Sequence, residues 1–169
     1  MADSLKSKLP AIGRILGETP DALYGWQRAL VREELLDSVP GRGPGSGVPA
    51  TPKTMAQFLI GICCQATRLE NVPLVTGVSE ASAAGGSCSL TGKKKFVDAL
   101  TAILANEDLV ARIYQVVISP NAGGATITFD QKQQALFWRP QRGKPTAGIQ
   151  FSAMIWGPTL VEIAKELTR

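Results

Sequence analysis

Two apolar stripes at helical spacing meet at a three-residue joint near the start of this chain. Leu9, Ile12, Ile15 and Leu16 form the first, Gly17-Glu18-Thr19 interrupts, and Leu23, Trp26 and Leu30 resume the pattern. Glycine ends a helix at little cost because it tolerates positive φ. Thr19 then offers a capping hydroxyl, and Pro20 suits the first helical position, where a missing N–H costs nothing. The spacing therefore predicts two helices joined by a tight turn. On the second helix it leaves Asp21, Ala22, Gly25, Arg28 and Arg32 on the outer side.

The run from Leu16 to Trp26 resembles the core of MerR-like and phage-type helix-turn-helix DNA-binding domains. Those domains show Leu-Gly, an aliphatic residue, Ser or Thr, Pro, two variable positions, an aliphatic residue and Tyr, with a Trp or basic residue nearby. One position departs from that pattern: Glu18 stands where an aliphatic residue plugs the angle between the helices. The turn is then expected either to be more open or to leave Glu18 in solvent as a first-turn acid favoured by the helix dipole. The resemblance implies that the second helix lies in a major groove of double-stranded DNA. Thr19, Asp21, Ala22, Gly25, Arg28 and Arg32 would then face the DNA, while Lys6, Lys8, Arg14 and Arg42 hold the flanking backbone. The competing reading of the same residues is an ordinary αα-hairpin inside a helical domain.

Charge supports this only modestly. The chain carries a net charge of +4, but residues 1–66 hold seven Lys and Arg against six Asp and Glu, a balance of +1. Phosphate neutralisation supplies most non-specific affinity, so a lone unit of this kind binds DNA weakly. A homo-oligomer that presents several units to one DNA is the expected remedy.

The second helix is expected to run on to Leu36, before Pro40-Gly41 breaks it. The Gly- and Pro-rich stretch 40–49 reads as a loop whose Arg42 can reach phosphate or the minor groove. It is not a phosphate-cradling loop, since no Gly-Lys-Ser/Thr follows and no strand precedes it. Thr51-Pro52 repeats the cap-and-Pro start, and residues 53–66 place Met55, Phe58, Leu59, Ile60, Ile62 and Cys63 around most of a helix. Such a helix must be buried, either as a third core element or in a subunit interface.

Residues 67–92, with small-residue sequence from Ser79 to Ser89, read as a flexible linker. Beyond it, residues 93–105 are expected to be a helix opening on Lys93-Lys94-Lys95. Segments 114–119, 125–130, 135–139 and 148–155 then read as a four-stranded antiparallel meander, and a final helix follows Gly157-Pro158. The fold expected is α+β. An all-α helix-turn-helix domain spans 4–66, and a sheet with flanking helices at 93–169 serves oligomerisation or binds a protein partner.

Catalytic chemistry is hard to assemble. The chain has no histidine, so the usual base for a Ser or Cys nucleophile and the commonest metal ligand are both missing. Glu33-Glu34 and Glu107-Asp108 are adjacent on helices and diverge, while Glu162 and Glu166 lie among Lys165 and Arg169 as a solvated face. Cys63, Cys64 and Cys88 show no metal spacing and read as buried free thiols. No enzyme activity, cofactor or metal is expected. No apolar run reaches membrane-spanning length and no signal pattern opens the chain, so a cytoplasmic protein is expected. The function expected is a phage or mobile-element transcriptional regulator that binds DNA as an oligomer. The alternatives are a ring-forming subunit like the small terminase of phage packaging motors, and a non-enzymatic protein-interaction module.

Overall fold

The computed structural model describes residues 3–41, 46–66, 69–139 and 151–169. Helix α1 spans Leu5–Leu16, with the Ser4 side chain accepting from the Ser7 N–H and Gly17 closing it at φ 74°. Helix α2 spans Pro20–Arg32, where the Thr19 hydroxyl accepts from the Ala22 N–H. It ends four residues short of Leu36, because Glu34 takes φ 56° and turns the chain away. Helix α3, Pro52–Cys63, starts on Thr51 in the same manner. All three starts follow from local chemistry: a side-chain oxygen satisfies an N–H that the helix itself leaves without a partner.

Residues 69–92, expected as a flexible linker, carry regular structure instead. A 3-10 turn at Leu69–Asn71 leads into α4, Val72–Ser79, and then into a two-residue strand β1, Ser82–Ala83. Val75, Val78, Ala81, Ala83 and Cys88 are buried there, so small residues serve close packing in this stretch. Helix α5 spans Phe96–Leu104 and α6 spans Glu107–Ala111. Strands β2 (Ile113–Ser119), β3 (Gly124–Phe129), β4 (Gln133–Trp138) and β5 (Ala153–Trp156) precede α7, Gly157–Thr168.

The mixed α+β class is as expected, but the sheet is not a four-stranded meander. It has five antiparallel strands in the order β1-β4-β3-β2-β5. Strands β2, β3 and β4 do form hairpins in sequence, whereas β5 returns to lie beside β2 in a Greek-key arrangement. Residues 148–150 of the expected last strand, and the connection ahead of it, fall outside the described residues. The added edge strand β1 pairs Ser82 with Trp138 and Ala83 with Phe137.

One hydrophobic core serves both halves of the chain. Met55, Phe58, Leu59 and Ile60 of α3 are fully buried, and α3 packs against both α2 and α5, so it is a core helix. Helix α1 packs on α7 across the length of the sequence. The helices cover the inner face of the sheet, where Val116, Ile118, Ile127, Phe129 and Phe137 point. Phe96 at the start of α5 meets Phe137 edge-on, with ring centroids 5.4 Å apart.

Candidate nucleic-acid interface

The joint between α1 and α2 is built on close backbone approach. A side-chain carbon added to Gly13 would stand 2.6 Å from the Glu18 carbonyl oxygen and 3.6 Å from Leu23 Cδ1. The Gly13 carbonyl in turn accepts the Glu18 N–H at 2.9 Å, and Gly17 supplies the left-handed residue that this closure needs. Glu18 is exposed and plugs nothing. Leu23, fully buried, fills the angle between the helices. Gly13 escaped the sequence reading, which attended to the apolar stripe; a glycine among its residues was the available signal.

With Leu23, Gln27 and Leu30 turned to the core, α2 keeps Asp21, Ala22, Gly25, Arg28 and Arg32 exposed on its other side. Ala22, Gly25, Arg28 and Arg32 line a groove of about 730 Å³ against Ser38, Gly47 and Val48. The far wall is pinned by paired backbone hydrogen bonds between Val39 and Gly47, at 2.9 and 2.8 Å. Gln27 also lines this groove. It is buried and its side-chain carbonyl oxygen has no partner, a feature the apolar pattern of α2 had concealed.

The expected contact residues divide into several kinds. Thr19 is spent on the cap, its hydroxyl 3.2 Å from the Ala22 N–H. Arg32 bonds Glu33 at 2.7 Å and is partly neutralised. Arg28 stands on the groove, and neither it nor Arg14, at the exposed last turn of α1, has an ion pair among the described residues. Lys6 lies 4.7 Å over the Tyr24 ring, tying α1 to α2, and Lys8 pairs with Asp3 at 3.0 Å. Arg42 lies outside the described residues. Trp26, expected in the core, is only partly buried at its margin.

The remaining candidates hold no site. The helix expected from Lys93 begins at Phe96, so Lys93 and Lys94 precede it and Lys95 is its cap residue. The Lys95 ammonium is bonded to Glu80, which raises its pKa. Glu162 pairs with Lys165 at 2.8 Å and Glu166 with Arg169 at 2.5 Å, as a solvated face does. Cys63, Cys64 and Cys88 are free thiols. Burial pushes Cys63 and Cys64 up to about 12, with the mutual repulsion of the pair adding to Cys64, so neither is a ready nucleophile. Among the described residues no group of acidic, Cys or His side chains could hold a metal, and no helix is long and apolar enough to cross a membrane.

No protein-family model, curated protein or solved structure matches the chain.

Proposed function

We propose that this chain binds double-stranded DNA through the exposed face of α2, in the manner of a helix-turn-helix regulator. The observation that carries this is the α1–α2 joint. Contact between Gly13 and Glu18 fixes two helices across a three-residue turn and leaves α2 open along Ala22, Gly25 and Arg28. Small residues at Ala22 and Gly25 let the helix backbone approach a groove floor, and Arg28 has the reach to contact base edges or phosphates. The near-neutral balance of residues 1–66 makes more than one copy necessary for useful affinity. A phage or mobile-element regulator acting on an operator in the cytoplasm fits these features. We assign it no catalysis.

A protein partner in the same groove is the second reading. It is favoured by the uncharged lining from Ala29, Val31, Gly47 and Val48, and by the neutralisation of Arg32 through Glu33. Fluorescence anisotropy of duplex fragments, titrated with the full chain at several salt concentrations, separates the two. Binding that weakens linearly in log salt and that Arg28→Ala reduces supports DNA. No binding at low salt, or binding that a folded Arg28→Ala, Arg32→Ala variant retains in full, removes it.

A further inference from the structure

The helices cover one face of the sheet, and among the described residues nothing covers the other. Leu136 and Trp138 on β4, Tyr114 on β2, and Met154 and Trp156 on β5 each expose about half of their surface there, from 48% to 55%. Register places them together: Met154 lies beside Val117, Val117 beside Thr126, and Thr126 beside Leu136, an unbroken row across four strands. Tyr114 sits at the irregularity in β2 and meets Trp156 edge-on, with ring centroids 5.7 Å apart. Isolated apolar side chains on a surface are ordinary, but a contiguous patch holding two of the three tryptophans of the chain is not.

We propose that this outward sheet face pairs with the same face of a second copy of the chain. Charge argues for that occupant. None of the outward positions on the five strands is acidic or basic, in a chain of net charge +4. Two copies that meet there bury no like charges from the strands against each other, whereas a polyanion finds no cation at these strand positions to neutralise its phosphates. The polar groups present also suit a copy of themselves. Gln115, Gln134 and Thr126 each carry both a donor and an acceptor, so an identical face can satisfy them. The five large side chains have on the order of 100 Å² apiece left to bury. With exposed Ser82 and Gln134 and partly buried Gln115, Val117 and Thr126 between them, the face approaches the about 800 Å² each partner gives to a standard interface. Two-fold pairing of one face with itself closes at a dimer. The inference stands on the sheet alone, whatever α2 binds.

Light scattering of the full chain over a range of concentrations is the test, with Leu136→Lys, Met154→Lys as the variant. Both side chains already face water, so the substitutions leave the core intact. The unmodified chain is expected at about twice 17.9 kDa, and the variant at 17.9 kDa with an unchanged circular dichroism spectrum. The dissociation constant should rise by at least a hundredfold. An unmodified chain that stays monomeric at hundreds of micromolar overturns the proposal, as does a folded variant that keeps the doubled mass. A larger ring, which needs two different faces per copy, overturns it too. Should the variant fail to fold, the unmodified chain still decides. Trp138 and Trp156 lose water on pairing, so their emission must shift to the blue as concentration rises, and an emission maximum that does not move refutes the pairing. Duplex DNA binding by either form leaves these outcomes untouched, so failure here is distinct from failure of the α2 interface.

Discussion

The Glu18 carbonyl oxygen lies 2.6 Å from the point where a side chain on Gly13 would begin, and the Gly13 carbonyl accepts the Glu18 N–H at 2.9 Å. The obstacle is backbone, which cannot swing aside as a side-chain end can. Gly13→Ala should therefore cost about 1–3 kcal/mol through overpacking, despite the better helix propensity of alanine. Chemical denaturation reads the loss. A Gly25→Ala control, at a position with open space around it, should be neutral or slightly stabilising.

Arg28 and Arg32 should separate in their effect on DNA. Arg28 has no ion pair among the described residues, whereas Arg32 must first leave Glu33. Arg28→Ala should cost about 1–3 kcal/mol of binding if it reads a base. Arg32→Ala should cost less, and Glu33→Gln should tighten binding by freeing the arginine. Leu23→Ala is the folding control, at about 2–5 kcal/mol of stability, since Leu23 is fully buried. Trp26→Ala should cost less than a full core truncation, because Trp26 is only partly buried at the core margin. Anisotropy and denaturation on the same samples check both sets.

Alkaline pH should destabilise the fold through Cys63 and Cys64. Their folded-state values of about 12 lie above the ordinary thiol value of 9.0. The unfolded chain therefore loses these protons first, and stability falls as pH rises from about 9 towards 12. A Cys63→Ala, Cys64→Ala variant should show a flatter decline over that range. Thiol-specific reagents at pH 8 should label the native protein slowly and the unfolded protein fast.

Arg112 grips Asp130 through two bonds, at 3.0 Å and 2.6 Å, while the Asp130 N–H donates to the Arg112 carbonyl at 3.0 Å. The clamp closes the open end of the β2–β3 pair beside its irregularity, and it holds Asp130 at φ 47°. Hydrogen bonding to the guanidinium lowers the Asp130 pKa. The stabilising contribution is thus present above the ordinary aspartate value near 4 and is lost as pH falls through the depressed folded value. Asp130→Asn should lower the unfolding midpoint slightly at neutral pH, and the gap to the unmodified chain should close in acid.

Because α3 packs on α5 and α1 on α7, the chain should unfold in one cooperative step, with calorimetric and van't Hoff enthalpies in agreement. Residues 93–169 expressed alone would expose buried Phe96, Leu100 and Ile103 of α5, and should aggregate or lack sharp thermal melting. A well-folded fragment would contradict the shared core.

The helix starts at Thr19 and Thr51 and the stop at Gly17 were legible in the sequence because they are local, whereas the end of α2 at Arg32 and the start of α5 at Phe96 were not. Thr19-Pro20, Thr51-Pro52 and the Gly17 stop concern hydrogen bonds within a few residues, so the same side chains that signal them also make them. The hairpins linking β2, β3 and β4 were legible for the same reason. The exposed set on α2 followed from helical period, and Asp21, Ala22, Gly25, Arg28 and Arg32 are where that period puts them. Partner choice was not local. That β5 lies beside β2, that Ser82–Ala83 adds an edge to β4, and that α4 fills in beneath the sheet depend on segments distant in sequence competing for one apolar surface. Small residues from Ser79 to Ser89 look like a linker in isolation, and only close packing against a neighbouring element shows why they are small. Side chains alternate along β4, with Ala135 and Phe137 buried, and the position of the helices decides that Leu136 and Trp138 stay in water. Sequence period thus sorts residues into faces, while the tertiary structure, by covering one face and leaving the other, determines which of them meets a partner.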